Sequence, residues 1–600
     1  MPPPQFTFGW SGAQEGCQKC GEPLHLRVTR RRRVLSIAHG KFLALERQGY
    51  CPVHPRLPPA RSWELDRLVP RGANVAYDVI VRVGLARFLQ CRQIGEIQAE
   101  LASEYGIELP ARTIAYQAQK FVAYVEVVHQ ESVRLLRTDM SKRGGYILHI
   151  DGTCEEGSWV LLVCLDSLSE QVLESRKIAS ESTEEVREVL RGVRQDWGVP
   201  LGVVHDLRKS LIIAAGEAFP GVPQFVCHYH LAADVGKDIL SAHVDSLRGL
   251  FRHTKVRPRL GALCRSLREF AVAEELGEHV VSRVLQCTAP QTLQAQVTPE
   301  ATQGTIHALI SWILAFSRTT EGYGFPFDLP YLNLYERIVA VHRVLDPASI
   351  VWPEKSRGVI GALHHFKEIL DPVVVGEYGE DFRQLVAETR RDQRIFERFR
   401  ATLRICPKGG TDRRNDEGTP STLNPVQHKA MLKKLRASLL GKSRRDENAA
   451  RACKIVVEHL DKYWDYLFGH AVRNGQHPIV VPRTNNVEER LFRTIKRQCR
   501  RLHGRGHLSR DVDAMAAGTA LVLNLSKPEY CQTVYGGTDP KCIAERFSRV
   551  DPKKRAELME TWRRERLAIR IPRKYEGLED LPRRLAPFIA AASEALQKEG

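Results

Sequence analysis

Between residues 145 and 232 the chain leaves helical periodicity for a series of short apolar segments, and their order limits the fold more than any other feature. GYILHIDGTCE, SWVLLVCLDSL and QVLESRKIAS have the length and Val/Ile/Leu content of three successive strands joined by short turns. STEEVREVLRGVRQDWG carries a Ser/Thr cap, early acids and a closing Gly198, which predict a helix. PLGVVHDLRK then reads as a buried strand, SLIIAAGEAFPG as a helix and PQFVCHYH as another strand. Three antiparallel-type strands followed by β-α-β predict a mixed sheet flanked by helices.

Two of the apolar runs, YILHI and LGVVH, end on aspartates, Asp151 and Asp206, which lie 55 residues apart. Carboxylates at the ends of adjacent buried strands can stand side by side, and hard oxygen ligands of this kind suit Mg²⁺ or Mn²⁺. A third carboxylate comes from RTNNVEERLFRTIKRQCRRLHGRGH at 483–507, where Thr484 or Asn485 can cap a helix. Its face at Glu489, Phe492 and Lys496 follows i, i+3, i+7 spacing. Arg490, Arg493, Arg497, Arg500 and Arg501 line the other faces, where they keep a nearby carboxylate ionised and offer cations to a DNA backbone. Asp166 and Glu174, inside the second and third strands, read as surface charges. His205 should point to the strand face opposite Asp206.

At 600 residues the chain exceeds the ~250–300 that one core serves, so several domains are expected. A hydrophobic content of 43% with 27% charged residues excludes a disordered protein. The formal charge of +18 favours a polyanionic partner, nucleic acid first. There is neither an apolar run long enough to span a bilayer nor a signal-peptide pattern, so a cytoplasmic protein with no membrane partner is expected.

Residues 1–70 hold Cys17-Gln-Lys-Cys20 and Cys51-Pro-Val-His54, two pairs whose two-residue gaps let a turn present both side chains to one structural Zn²⁺. A zinc-ribbon-like domain follows, although the gap between the pairs is wide for a ribbon. In 71–135, IGEIQAELASEYGIELPARTIAYQAQK reads as a helix, a turn at Gly106 and a second helix opened by Pro110. As a helix-turn-helix it would offer Arg112, Thr113, Tyr116, Gln117 and Lys120 to a major groove; a plain three-helix bundle is the other reading. Residues 236–475 are helical in period, broken near 288–303, 318–330, 346–358 and 407–425, and 511–600 carries more helix without a motif.

Asp151 after one strand, Asp206 after a later one, Cys227-x-x-His230 soon afterwards, and an Asn-rich glutamate helix beyond a long helical stretch resemble bacterial insertion-sequence DDE transposases with an RNase H-like core. TNNVEERLFRTIKR carries most of the resemblance, which covers roughly 75–510, with 283 residues from Asp206 to Glu489. It implies a multidomain α+β protein in which zinc ribbon and helix-turn-helix precede an RNase H-like core at 140–235 and 476–510. A large all-α insertion at 236–475 would interrupt that core, and a helical region at 511–600 would follow it. Asp151, Asp206 and Glu489 would hold two Mg²⁺ or Mn²⁺ ions for cleavage and strand transfer at the ends of a mobile element. Glu488 offers the adjacent register, but the distance from Asn485 and the Arg490 that follows favour Glu489. Arg493, Lys496, Arg497 and Arg500 would hold DNA, and Cys227 and His230 would either position substrate or only pack. The partners would be double-stranded DNA, as terminal inverted repeats and target, and further copies of the chain, a homodimer or larger on DNA in a prokaryotic nucleoid. A domesticated DNA-binding derivative without catalysis and an RNase H-fold nuclease are the alternatives.

Overall fold

The computed structural model describes residues 3–10, 16–154, 158–267, 299–318, 322–345, 357–405, 425–468, 471–474, 477–504, 507–567, 583–584 and 586–587. The expected breaks at 288–303, 346–358 and 407–425 fall largely outside these residues, as does most of 568–600. The chain divides into two compact units, Met1–Gln224 with Asn474–His477 and Asn485–Gly600, and Phe225–Arg473 with Pro478–Thr484.

The first unit opens with a small sheet of β1 (Gln5–Phe8), β2 (His25–Ser36) and β3 (Gly40–Tyr50), ordered β1-β3-β2. β2 and β3 form one long hairpin, paired from Ser36 against Gly40 to His25 against Tyr50. Gly40 turns the hairpin at φ 65°, a backbone region that side chains disfavour. Val34, Phe42 and Ala44 bury their side chains against Leu65 and Val69, which flank the end of the short helix α1 (Trp63–Leu68).

Three helices follow, α2 (Tyr77–Phe88), α3 (Ile94–Tyr105) and α4 (Ala111–Lys142). Gly106 closes α3 at φ 60° and Pro110 opens α4, as the sequence predicts. The second helix is nevertheless 32 residues long, because no breaker interrupts it before Gly144, and it forms the backbone of a larger core. That core joins α2–α4 to a five-stranded sheet of β4 (Ile147–Thr153), β5 (Val160–Asp166), β6 (Gln171–Ile178), β7 (Gly202–His205) and β8 (Gln224–Val226). The order is β6-β5-β4-β7-β8, with β4 antiparallel to β5, β5 antiparallel to β6, and β4 parallel to β7. Two helices connect these strands, α5 (Thr183–Trp197), capped by Ser182, and α6 (Lys209–Ala218).

Several expectations change here. Residues 71–135 have no core of their own, because Ile97, Ile114, Phe121 and Val125 pack into the same cluster as the sheet. PQFVCHYH forms only the three-residue β8 before Cys227 caps a helix, since an apolar start to a buried helix looks like a strand end. Asp166 is fully buried, not a surface charge: its carboxylate accepts from Ile147 N, Leu168 N and Ser169 Oγ, closing the β5–β6 turn.

The region after 510 belongs to this core too. A 3₁₀ segment at Ala517–Ser526 runs along β6, where Asn524 bonds both the N–H and the carbonyl of Val172 at 2.8 Å. Helices in this region contribute Tyr530, Phe547 and Trp562, so the core does not end at 510. The His129 ring of α4 links three elements, with Nε2–H donating to Leu173 O of β6 at 3.0 Å and Nδ1 accepting from Tyr530 Oη at 2.9 Å.

The second unit is built largely of helices among its described residues: α7 (His228–His253), α8 (Val256–Ser266), α9 (Pro299–Leu314), α10 (Pro330–Val344), α11 (Arg357–Val374), α12 (Gly379–Leu403), α13 (Pro425–Arg445) and α14 (Glu447–Tyr463). In its interior Phe382 stacks on Tyr335 and meets Phe251 at a tilt. Buried or half-buried His–Asp pairs join its helices, His243 with Asp392 at 3.0 Å and His342 with Asp371 at 2.8 Å. No described helix in either unit is long and apolar enough to cross a membrane.

Candidate active site and metal centre

The long hairpin explains the wide gap between the two metal-ligand pairs. Cys17 and Cys20 precede β2, Cys51 and His54 follow β3, and antiparallel pairing returns both to the open end of the hairpin. Cys17 Sγ lies 3.7 Å from His54 Nδ1, Cys20 Sγ 3.7 Å from Cys51 Sγ, and Cys51 Sγ 3.8 Å from His54 Nδ1. Ligands on a tetrahedral Zn²⁺ with ~2.3 Å Zn–S bonds stand ~3.8 Å apart, so this Cys₃His group has the dimensions to hold zinc. The Lys19 N–H directed at Cys17 Sγ draws that thiol down to about 6, towards the thiolate that binds metal.

Asp151 is the fifth residue of β4, and Asp206 lies one step beyond β7. Because Ile150 and His205 are register partners on these parallel strands, the next residue of each is an aspartate at the same level of the sheet. Both are about nine-tenths buried. Asp151 Oδ1 accepts from Gly152 N at 2.8 Å. Asp206 accepts from Arg208 twice, from its backbone N at 2.8 Å and its Nε at 3.1 Å. His205 is fully buried, and its Nδ1–H donates to the Asp206 carbonyl at 2.7 Å. Its Nε2 accepts from the Gln224 carboxamide at 3.0 Å.

Sequence reasoning missed Glu181. This carboxylate forms an ion pair with Arg208, the same guanidinium that holds Asp206, and a Cβ on Gly152 would collide with Glu181 Oε1. Glu181 is therefore a further acidic group beside Gly152, linked to Asp206 through Arg208. No strand-end pattern marks it, since it lies in the SES segment between β6 and α5.

The third element is α15 (Asn486–His503). Its buried stripe runs Glu488, Leu491, Phe492, Ile495, Gln498 and Cys499, with Asn485 fully buried at its head. Glu488 is completely buried, whereas Glu489 and Lys496 are half-buried. The interior face thus carries Glu488, a correction to the Glu489–Phe492–Lys496 face, and the i, i+4, i+7 spacing of Glu488, Phe492 and Ile495 was the signal for it. Arg493, Arg497, Arg500 and Arg501 are exposed, and Arg490 pairs with Glu170 at 2.9 Å.

Asn485 does not cap the helix with its side chain. Its Nδ2 donates to Asp151 Oδ2 at 3.1 Å, and its Oδ1 accepts from His149 Nδ1 at 2.8 Å. His149 is fully buried two residues before Asp151, and burial pushes its ring down to about 4, so it is neutral.

Only the zinc quartet brings three or more ligand atoms within 4.8 Å of one another among the described residues, so Asp151, Asp206 and either glutamate do not converge to that degree. Their all-oxygen chemistry still fits Mg²⁺ or Mn²⁺. At the proposed helix-turn-helix, Arg112 and Tyr116 are exposed and Thr113 half-buried, but Gln117 and Lys120 are buried and unavailable to DNA. Lys120 lies over the Tyr116 ring at 4.6 Å, and burial lowers its pKa to about 8. Cys227 is the buried cap of α7 and His230 lies in its first turn, both in the second unit.

Comparison of the sequence with protein families and with curated proteins found no match to either.

Proposed function

We propose that the chain is a DDE-class DNA transposase that cleaves and joins strands at the ends of a mobile element, with Asp151, Asp206 and Glu488 as its catalytic carboxylates. The observation that carries this reading is the matched level of Asp151, within β4, and Asp206, one step beyond its parallel neighbour β7, with Asn485 at the head of the glutamate helix bonded to Asp151. The strand order β6-β5-β4-β7-β8, three antiparallel strands and then a parallel one, supports an RNase H-like core, and the helical unit between β8 and α15 supports an insertion within it. Two divalent ions, when bound, supply the charge that activates a water or 3′-hydroxyl and steadies the leaving oxygen. Asp151, Asp206 and Glu488 are the groups that would hold them. The exposed Arg493, Arg497 and Arg500 on the same helix offer cations for the DNA backbone.

One feature favours a second reading. Arg208 neutralises Asp206 and Glu181 together, an arrangement that also suits a DNA-binding derivative without catalysis. Mg²⁺-dependent cleavage and joining of the DNA ends flanking the gene decides between them. Wild type is expected to cut and join, and Asp151→Asn and Glu488→Gln to lose roughly a thousandfold while still binding DNA. Glu489→Gln should stay within a few-fold. A dead Glu489→Gln beside an active Glu488→Gln reverses the register, and a wild type that binds these ends without cutting them favours the non-catalytic reading.

A further inference from the structure

We infer that Asn485 is a positioning residue for Asp151 and that His149 fixes the orientation of the Asn485 carboxamide, an inference resting on the reading of Asp151 as a catalytic carboxylate. The two ends of an asparagine amide are nearly equal in shape, so packing alone does not choose which one faces Asp151. The wrong choice would set Oδ1 against a carboxylate oxygen, two acceptors facing each other without water nearby to relieve them. His149 removes the ambiguity. Because Asn485 Nδ2 is committed to Asp151 Oδ2, the 2.8 Å contact to His149 must be an Nδ1–H donating to Oδ1. The ring thus holds the amide with its NH₂ towards the aspartate.

Geometry favours the same conclusion from both sides. His149 and Asp151 are two residues apart on one strand, so their side chains share a face, and Asn485 spans the pair. Gly152 N already holds Asp151 Oδ1, so the bond from Asn485 fixes the second oxygen and with it the carboxylate plane. An asparagine at this helix position ordinarily turns its side chain onto the helix's own N–H groups. Here that bond is not made, and the amide is spent on the strand. With His149 and Asn485 fully buried, the chain of bonds is shielded from exchange with solvent. The first turn of α15, and Glu488 within it, is thereby docked to the strand that carries Asp151.

The test uses the full chain with Asn485→Ala, Asn485→Asp, His149→Phe and the His149→Phe/Asn485→Ala double variant. Asn485→Ala should lower the turnover of DNA cleavage roughly ten- to hundredfold and raise the Mg²⁺ needed for half-maximal rate, with DNA affinity in EDTA unchanged. Asn485→Asp keeps the shape but replaces the donor, and should be at least as damaging, which a packing role does not predict. The double variant should be no worse than the poorer single one. Ring ¹⁵N spectra, with His149 identified by its loss in His149→Phe, should show an Nδ1-protonated tautomer that changes in Asn485→Ala. If Asn485→Ala unfolds, Asn485→Ser, which retains a donor, takes its place in each measurement. Additive losses, or unchanged Mg²⁺ dependence, overturn the inference. If wild type proves unable to cut DNA, the catalytic reading fails by itself, and the spectra still judge the relay: an Nε2-protonated ring, or one unmoved by Asn485→Ala, overturns it.

Discussion

Gly84 of α2 has no room for a side chain, because a Cβ there would enter the ring of Phe121 on α4. In an exposed helix, replacing glycine with alanine is stabilising, so the sign of the effect reports the contact. Gly84→Ala should destabilise the protein by about 1–3 kcal/mol, read by urea denaturation, and a stabilised variant would show that α2 and α4 do not meet there. At this scale the aspartates were legible and their partners were not. Asp151 and Asp206 each end an apolar run, a local pattern. Asn485, His149 and Glu181 reach them only through tertiary contacts, and the bond between Asn485 and Asp151 spans 334 positions of sequence. Glu488 was legible in principle, since it continues the stripe of Phe492, Ile495 and Cys499, but the polar neighbours on both sides obscured the phase.

Among elements, the β2–β3 hairpin depends most on a single group. The first half of β2 is exposed, with Leu26, Val28, Arg30 and Arg31 in solvent, so that strand has few buried contacts at the open end. Zinc at Cys17, Cys20, Cys51 and His54 would supply the missing constraint. Cys17→Ser should reduce bound zinc by about one equivalent per chain by elemental analysis and speed amide exchange in β2 and β3, because one of four ligands is lost. Unchanged metal content would remove the site. The three strands before α5 were read within a few residues, since their lengths and turns are local properties. The start of α4 at Pro110 was legible, but that signal carries no information about where the helix stops or which face it buries, and Gln117 and Lys120 proved to lie on the buried face.

Across the whole first unit, one core draws on α2–α4, the sheet, α15 and the helices after 510, and amphipathic patterns alone do not say which core a helix will join. The His129 ring gives that assembly a pH dependence. Burial depresses its pKa to about 4, against 6.5 in a free chain, so it stays neutral in the fold while an unfolded chain takes up a proton. Stability is complete above about 6.5 and falls by about 1.4 kcal/mol per pH unit towards about 4 from this ring alone. Stability to urea between pH 7.5 and 5 should fall at least that steeply, since the buried His149 ring adds to it, and His129→Gln should make the fall shallower by the His129 share. An equal slope in both proteins would mean the ring does not titrate as its burial requires.

The split of the first unit around 249 residues of the second, Phe225–Arg473, also sets a clock. A ribosome adding ~5–20 residues per second needs roughly 15–55 s to travel from Asp206 to Glu488. Throughout that interval the strand that will bond Asn485 waits for a helix still to be made. A nascent chain therefore carries both aspartates but no glutamate helix. The bond between Asn485 and Asp151 forms only after most of the polypeptide has been made.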